Sequence, residues 1–526
     1  MSTSRRTPRP TAKDTPSPAP KAGAKPRARE QATAPDAPTR TPRPSRRASA
    51  GPPVDSRRTA RLVVVSNRLA DPRKPAAGGL AVALAEVLDN TGGLWFGWSG
   101  KVLEPDVAPG PLHTTRVGPV TLATLDLSQA DYDAYYLGYS NGVLWPVFHY
   151  RLDLADFDPA CIDGYRRVNQ RFASELAPLL RADDIVWIHD YHLIPLASEL
   201  RALGCHQRIG FFLHIPLPPP PILAAIPGHD WLMRSLCACD VVGFQSQEDL
   251  HHFCEYIHRE AGAQDLLDGR WRVFNRTVRP GAFPIGIDVD EFQALTRGPE
   301  AVEMFNRMRH DYARRKLLVG VDRLDYSKGL PHRLLAFREL LRKYPDTRKV
   351  ATLVQIVSPS REDVDAYTKI LRQLESLCGS INGNFGELDW MPVRYMHRTV
   401  ARARLPGLYR ASRVALVTPL RDGMNLVAKE YIAAQDPDDP GVLVLSRFAG
   451  AADQLKEALL VNPYDPGTTA EAIHAALEMP LDERRARHQA LLANCRAHDV
   501  HWWCESFLGA LRTAQPEESG TPWLRL

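Results

Sequence analysis

The residues most able to do chemistry lie in the stretch TPLRDGMNLVAKEY (418–431), which follows the apolar run RVALV. This order predicts a buried strand, a short loop and a helix. The backbone N–H groups of Gly423 to Leu426 would then lie at the helix N-terminus, where anions are stabilised. Asp422 in the loop and Glu430 in the helix can accept hydrogen bonds from sugar hydroxyls. The stretch therefore indicates a ligand with phosphates and hydroxyls; a helix-capping acid followed by an exposed glutamate is the alternative interpretation.

A second candidate site is VDRLDYSKG (321–329), where Arg323 and Lys328 stand five residues apart at the predicted end of a strand. Two fixed cations at that place suit a diphosphate, because they can also stabilise the charge that develops on a leaving group. Ion pairing of these cations with Asp322 and Asp325 is the alternative interpretation.

Two further segments give weaker signals. Gly78 and Gly79 follow the first predicted strand and Arg68, and a Gly-Gly pair lets a backbone approach a phosphate closely. The pair is not the G-x-G-x-x-G fingerprint. The aromatic segment YYLGYSNGVLWPVFHY (135–150) is compatible either with a carbohydrate-binding platform or with a core segment.

Three polar side chains, Asp190, His192 and His214, follow the apolar runs of DDIVWIHDYH and RIGFFLHIP. Metal ligation, structural hydrogen bonding and sugar recognition are all compatible with these residue types. Neither an H-x-x-x-H pattern nor a carboxylate-rich spacing accompanies them, so we expect no metal site.

The elements that must position these residues are short strands alternating with helices. Continuous Val/Ile/Leu runs recur from ARLVVVSNRL (60–69) to GVLVLSRFAGA (441–451). This alternation predicts parallel sheets covered by helices on both faces, and ligands bind outside the carboxyl ends of such strands. We therefore expect an α/β fold of two Rossmann-like domains, residues 59–290 and 291–480, that face each other across a cleft. The segment FPIGID (283–288) is the expected hinge.

The two ends of the chain differ from this middle part. Residues 481–526 predict C-terminal helices and a tail. Residues 1–58 contain 12 prolines and 14 Lys/Arg against 4 Asp/Glu, with almost no large apolar side chains, which predicts a disordered basic tail. Because the whole chain carries +5, the remainder carries −5, and the basic charge does not mark a folded nucleic-acid-binding face.

Composition places the protein in the soluble class. No run of 18 apolar residues is present to cross a membrane, and the eight cysteines are scattered, which indicates free thiols in a reducing compartment. We expect a cytoplasmic protein that forms a homo-oligomer and has neither a nucleic-acid nor a membrane partner.

The motifs occur in an order that resembles a known family. VVVSNR, AGGLA, GLWFGWSG, YSNGVLWPVFHY, WIHDYHL, GFFLHIP, VDRLDYSKGLP and TPLRDGMNLVAKEY closely resemble segments of the trehalose-6-phosphate synthases, which are retaining glycosyltransferases of the GT-B type. The resemblance runs from about residue 60 to residue 512, and only the two ends of the chain lie outside it.

The resemblance implies transfer of glucose from UDP-glucose to glucose 6-phosphate, giving α,α-trehalose 6-phosphate and UDP, without a cofactor or a metal. The residues that it implies for the donor are Gly78, Gly79, Arg323, Lys328, Leu426, Val427, Ala428, Lys429 and Glu430. Those implied for the acceptor are Arg68, Tyr136, Trp145, Asp190 and Arg361. Those implied for catalysis are Asp422, Arg323, Lys328 and His214.

Two alternatives stay open at this point. A related synthase could pass glucose to another phosphorylated acceptor, such as glycerol 3-phosphate, because both reactions need phosphate-binding arginines. A non-catalytic protein that senses sugar phosphates on the same fold is the second alternative. It predicts damaged motifs, whereas Arg323, Lys328, Asp422 and Glu430 are all intact.

Overall fold

The structure is a computed structural model that describes residues 60–69, 84, 87, 88, 92–104, 107, 110–360 and 365–514. The predicted tail at residues 1–58 lies outside the described residues. So do three of the expected site residues, Gly78, Gly79 and Arg361.

The first sheet is built from the strands of the N-terminal half. Its order is β3-β4-β2-β1-β5-β6-β7-β10-β9-β8, parallel from β4 to β10 and antiparallel at both edges. Its central strands are buried along most of their length, because helices cover both faces. The strands are β1 (Leu62–Arg68), β2 (Gly93–Leu103), β3 (His113–Val117), β4 (Val120–Ser128), β5 (Ile185–His189), β6 (Arg208–Phe212), β7 (Val241–Phe244), β8 (Gln264–Asp265), β9 (Trp271–Val273) and β10 (Arg276–Ala282).

The second sheet is parallel throughout, in the order β13-β12-β11-β14-β15-β16. In chain order this is the doubly wound arrangement 3-2-1-4-5-6, and the parallel strands from β4 to β7 repeat it in the first sheet. The predicted class, an α/β fold with two Rossmann-like sheets, is confirmed. The strands are β11 (Lys316–Arg323), β12 (Ala351–Ser358), β13 (Val393–His397), β14 (Val414–Val417), β15 (Val442–Ser446) and β16 (Leu459–Val461).

Helices connect these strands. A π-helical stretch, Tyr132–Leu144, joins the first two of the helices named here. They are α1 (Gln129–Asp131), α2 (Trp145–Phe148), α3 (Pro159–Leu176), α4 (Leu196–Ala202), α5 (Pro220–Leu223), α6 (His229–Leu236), α7 (Gln247–Ala261), α8 (Val289–Leu295), α9 (Pro299–Asp311), α10 (Leu330–Lys343), α11 (Asp365–Phe385), α12 (Leu405–Ala411), α13 (Leu426–Ala434), α14 (Pro466–Glu478), α15 (Leu481–Ala497) and α16 (Val500–Thr513).

The carboxyl edges of the two sheets meet. Arg421, in the loop after β14, donates to Glu248 at 2.7 Å, and its guanidinium lies 4.1 Å from the ring centroid of Tyr150. A Cβ on Gly423 would lie 2.2 Å from the carbonyl oxygen of His214, so only glycine permits this approach of the two backbones. The ends of β14 and β6 therefore face the same cleft.

The last helix returns to the first sheet. Trp503 and Phe507 of α16 each pack with their ring centroids 4.9 Å from that of Trp187 in β5. The chain thus crosses between the two sheets twice, at residues 283–288 and again before α16. The domain limits at residues 59, 290 and 480 stay predictions.

Two further features concern the cysteines and the described helices. All eight cysteines are free thiols, six of them buried. Among the described helices, none combines the length and the apolar character needed to cross a bilayer.

Candidate functional site

A cavity of about 510 Å³ lies between the carboxyl edges of the two sheets. It sits at the points where the strand order reverses, β1 beside β5 and β11 beside β14, which is where doubly wound sheets bind ligands. The first sheet side contributes Ser66, Arg68, Leu84, Trp95, His214 and Gln245, and the linker contributes Ile285. The second sheet side contributes Val321, Asp322, Arg323, Lys328, Asp422, Met424, Asn425, Leu426, Val427 and Glu430.

Two cations enter the cavity from the end of β11. Arg323 is the last residue of that strand, and its guanidinium carbon lies 5.9 Å from the ring centroid of Trp145 on the opposite side. Lys328 ends a short turn that Asp325 caps by accepting from the backbone N–H of Ser327 at 2.9 Å. Both cations are therefore held at the mouth of the sheet.

The acids next to these cations are used elsewhere. Asp322 is buried in an ion pair with Arg333, at 2.5 Å, and Asp325 caps its own turn. The alternative interpretation of VDRLDYSKG, pairing of its cations with its own acids, is wrong. Lys328 instead donates to Asp422 Oδ2 at 2.6 Å.

Asp422 lies in the loop between β14 and α13. The amide of Asn425 also donates to Asp422 Oδ2, at 2.9 Å. Within the described part of the chain, Oδ1 has no hydrogen-bond donor, so one carboxylate oxygen remains available to a ligand. Lys328 thus offsets the negative charge of Asp422 before any ligand binds.

Helix α13 presents its N-terminus to the cavity. Asn425 precedes it in the left-handed region, with φ of 74°, and no side chain caps the helix. The first backbone N–H groups of α13 therefore remain available for an anion. Leu426 and Val427 of this first turn line the cavity.

The rest of the predicted donor segment divides between two environments. Glu430 lines the cavity, and burial raises the pKa of its carboxyl to about 7 against the attraction of Arg402. It is not the exposed glutamate of the alternative interpretation. Ala428 and Lys429 are fully buried. The Lys429 ammonium donates to Ile285 O at 2.8 Å and to Gln454 Oε1 at 2.7 Å, so that side chain faces the linker.

On the first sheet side, Arg68 ends β1 and reaches the cavity. Its guanidinium carbon lies 5.7 Å from the ring centroid of Trp98. A Cβ on Gly100 would lie 2.5 Å from Arg68 Nε, so this glycine leaves room for the arginine. A basic group thus stands opposite the cations of β11.

A group of aromatic rings adjoins Arg68. Tyr136 stacks on Tyr132 with centroids 5.3 Å apart, and on His192 at 5.8 Å with the planes within 10°. Tyr136 is part of the π-helical stretch, a conformation that occurs frequently at functional sites. The core interpretation of the aromatic segment is confirmed for Tyr135 and Trp145, which are buried, whereas Tyr136 is partly exposed and the carbohydrate-platform interpretation stays a prediction.

Asp190 and His214 follow neighbouring strands, β5 and β6. Asp190 has φ of 75°, unusual for a residue with a Cβ, and its Oδ1 accepts from the backbone N–H of His214 at 3.3 Å. Burial lowers the pKa of the His214 imidazole to about 3, so this ring is neutral at ordinary pH. In the part of the chain that is described, His, Cys, Asp and Glu side chains form no group of three suited to a metal ion.

The sequence profile of glycosyltransferase family 20 matches residues 54–513. The chain belongs to glycosyltransferase family 20. This chain is 48% identical over 465 residues to a trehalose-6-phosphate synthase of Sinorhizobium fredii. The alignment covers 88% of this chain and all of the relative.

The chain is also similar to solved structures. A UDP-forming α,α-trehalose-phosphate synthase from Burkholderia xenovorans, in complex with glucose-6-phosphate, is 50% identical with a TM-score of 0.83, covering 86% of this chain and 100% of its own. An E. coli structure bound with UDP-2-fluoro glucose is 46% identical with a TM-score of 0.84, covering 87% and 100%. The predicted relationship to the trehalose-6-phosphate synthases, with its GT-B fold, is confirmed.

The family 20 fold brings most of the predicted site residues to one cleft. The predicted residues that line the cavity itself are Arg68, His214, Arg323, Lys328, Asp422, Leu426, Val427 and Glu430. Trp145 lies beside Arg323, and Asp190 lies beside His214. Tyr136 shares its partner Trp98 with Arg68. Ala428 and Lys429 contribute no side chain to the cavity.

Sequence reasoning missed several polar residues of this site, Ser66 and Asn425 of the cavity lining among them. Gln245 lines the cavity, and His189 lies 3.1 Å from the His214 ring. Both follow or end an apolar run, in CDVVGFQ and VWIHD, so the rule that drew attention to Asp190 and His214 could have found them.

Proposed function

We propose that the protein is a retaining glucosyltransferase that transfers glucose from UDP-glucose to glucose 6-phosphate, giving α,α-trehalose 6-phosphate and UDP. The observation that carries this proposal is the cleft itself. Arg323, Lys328, Asp422 and an uncapped helix N-terminus stand on one side of it, and Arg68 stands on the other.

The second sheet side suits the nucleotide-sugar. Arg323, Lys328 and the first N–H groups of α13 would bind the diphosphate, which needs cations and donors. The available oxygen of Asp422 would accept from the glucose hydroxyls, and Glu430 from the ribose. Gly78 and Gly79 are proposed to close over the donor phosphates.

The first sheet side suits the phosphorylated acceptor. Arg68, with Arg361, would bind the phosphate of glucose 6-phosphate, because a guanidinium can donate two parallel hydrogen bonds to it. Tyr136 and Asp190 would hold the sugar, and Trp145 would shape the pocket that selects the anomer.

Catalysis would consist of positioning and electrostatic stabilisation. The anomeric oxygen of the acceptor forms the new bond to C1 of the donor glucose on the face from which UDP departs. The leaving β-phosphate takes the acceptor proton, while Arg323 and Lys328 stabilise the charge on UDP. His214 would lie against the donor sugar as a neutral ring, because its lowered pKa means that it is not a protonated imidazolium that could act as an acid.

The decisive experiment compares acceptors. Purified protein with UDP-glucose should release UDP on addition of glucose 6-phosphate, and NMR should show one product with two α-anomeric protons. Absence of UDP release with glucose 6-phosphate would reject the proposal. Release only with glycerol 3-phosphate would establish the related synthase instead, and no release with either acceptor would favour the sensor.

Three further expectations, on cofactor, localisation and oligomeric state, belong to the same proposal. We propose that no cofactor is needed, so that enzyme treated with a chelator and dialysed should keep its rate. We also propose a cytoplasmic homo-oligomer, which light scattering would detect as a multiple of the monomer mass and fractionation of cells would place in the cytosol.

A further inference from the structure

A series of hydrogen bonds connects the linker between the two sheets to His214. The backbone N–H of Ile285 donates to Gln245 Oε1 at 3.0 Å. The other end of the Gln245 amide, Nε2, lies 3.3 Å from His214 Nδ1. His214 Nε2 in turn lies 3.1 Å from Nδ1 of His189. Gln245 is 2% exposed and His189 is 0% exposed, whereas His214 between them is partly exposed where it lines the cavity.

The donors and acceptors of this series can be assigned from its fixed end. A backbone N–H can only donate, so the Gln245 atom that faces Ile285 must be the carbonyl oxygen. The amide NH₂ then faces His214, and since NH₂ can only donate, His214 Nδ1 must accept. The orientation of the Gln245 amide therefore follows from Ile285 and does not depend on the histidines.

The tautomers of both histidines follow from this assignment. A neutral imidazole carries one N–H, so the proton of His214 is on Nε2, where it donates to His189 Nδ1. The proton of His189 must then be on its own Nε2. Burial lowers the pKa of His214 to about 3 and that of His189 well below its ordinary value, which agrees with two neutral rings.

We propose that Gln245 and His189 are positioning residues that hold His214 as its neutral Nε2–H tautomer. Both ring nitrogens of His214 are then bound by the protein, and the ring meets a ligand with its C–H edge and its face. This inference rests on the proposed function for its kinetic consequence. It assigns His214 to shaping the donor-sugar site and excludes its ring from proton transfer.

The same hydrogen bonds connect the His214 ring to the linker residue Ile285. Ile285 also accepts from Lys429 of α13 through its carbonyl oxygen, at 2.8 Å. A single linker residue is thus bound by Gln245 from the first sheet side and by Lys429 from the second. The orientation of His214 is therefore set where the two halves of the cleft join.

The test is a Gln245→Glu substitution followed by histidine tautomer NMR. When ionised, the glutamate keeps an acceptor for Ile285 N–H but turns a second acceptor toward His214, so His214 Nδ1 must gain a proton; the spectra are recorded at a pH high enough to ionise a buried carboxyl. Full-length protein is labelled with ¹⁵N in its histidine rings, and the signals are assigned by comparison with His214→Asn and His189→Asn. Ligand-free wild type should show both rings protonated at Nε2 only, and Gln245→Glu should show a proton at His214 Nδ1.

Two comparisons separate this role from general destabilisation. Gln264→Glu makes the same chemical change at an exposed strand residue and should leave the histidine signals unchanged. His189→Asn, whose amide oxygen can accept from His214 Nε2, should keep the wild-type tautomer of His214, whereas His189→Leu should not.

The kinetic expectation is a split between kcat and KM. Gln245→Glu and His189→Leu should lower kcat roughly tenfold to a hundredfold with KM for each substrate within about twofold, because orientation and not ground-state binding is lost. His189→Asn should restore most of kcat.

The inference is overturned if wild-type His214 carries its proton on Nδ1, or if Gln245→Glu leaves His214 Nδ1 unprotonated. If Gln245→Glu does not fold, the wild-type tautomer of His214, assigned by comparison with His214→Asn, decides the matter. The tautomer is measured without substrate, so a protein with the expected tautomer but no glucosyl transfer would contradict the proposed function and leave this inference standing.

Discussion

The side of the cleft built on β11 and β14 holds its residues mainly through ion pairs, whereas the side built on β1, β5 and β6 holds them mainly through aromatic rings, with Arg68 packed against Trp98. On the first, Lys328 pairs with Asp422 at 2.6 Å and Arg333 pairs with Asp322 at 2.5 Å. On the second, Tyr136 stacks on His192, and the His214 ring is neutral because burial lowers its pKa to about 3.

This difference predicts how the two sides respond to substitution. A charged site that excludes water acts strongly on a developing charge, and removing one of its ions leaves a partner uncompensated. A stacked ring contributes mainly contact area and orientation, which are worth less per residue. Substitutions on the charged side should therefore have larger effects, and effects on both sides should be specific to one substrate.

The largest expected effect is that of Arg323→Ala. Loss of this cation should remove about 3 to 4 kcal/mol of transition-state stabilisation, which lowers kcat a few hundredfold. Steady-state kinetics with saturating UDP-glucose measure it. Arg372→Ala, at an exposed position of α11, is the matched control and should keep the wild-type rate. A near-normal kcat for Arg323→Ala would show that the charged side does not act on the leaving group.

Glu430→Gln should reveal the cost of burying a carboxylate on the charged side. Burial raises the pKa of Glu430 to about 7, above its ordinary 4.5, so the folded protein prefers the protonated form. The free-energy cost of ionising Glu430 in the folded protein is absent at low pH. It grows as the pH rises from about 4.5 to 7 and reaches its full value above pH 7. The free energy of unfolding of Glu430→Gln, relative to wild type, should therefore increase by about 1 to 2 kcal/mol between pH 5 and pH 8.

Urea unfolding of ligand-free protein at the two pH values measures this difference. Gln264→Glu serves as the comparison. Its free energy of unfolding should differ from that of wild type by the same amount at both pH values, because residue 264 is exposed. Equal differences at pH 5 and pH 8 for Glu430→Gln would mean that Glu430 is ionised in the folded protein throughout.

Tyr136→Ala should have a smaller effect, confined to the ring side. Loss of the stacked ring should raise KM for glucose 6-phosphate by up to about tenfold, since aromatic pairs contribute about 0.5 to 1.5 kcal/mol. KM for UDP-glucose should change little. Tyr136→Phe keeps the ring and should stay near wild type. If Tyr136→Phe is as impaired as Tyr136→Ala, the hydroxyl and not the stacking carries the role.

The smallest expected effect is that of removing residues 1–58. The segment contributes no motif of the site, so kcat and both KM values should stay within about twofold of the full-length protein, as expected for a segment without a folded core. Circular dichroism confirms that the truncated protein is folded. A folded but inactive truncation would give the basic segment a part in the reaction.

The sequence determined the strand ends of the site. Arg323, Asp422 and His214 each follow a continuous apolar run, and parallel sheets place all such ends at one edge. The fold class followed from the same runs. The limit of this reasoning is visible in α13, where Lys429 and Glu430 are neighbours in sequence but face the linker and the cavity respectively. Periodicity could not separate them, because most of LVAKEYIAA is buried.

Contacts between distant segments were decided by the tertiary structure alone. Lys328 and Asp422 are 94 residues apart, and the sequence offered Lys328 nearer acids that the fold uses elsewhere. Gln245 and Ile285 are 40 residues apart, and only their meeting fixes which way the amide points. Local sequence sets which side chains stand at a strand end, because that depends on hydrophobic runs. Which partner each one binds depends on where two sheets meet, and no local pattern encodes that.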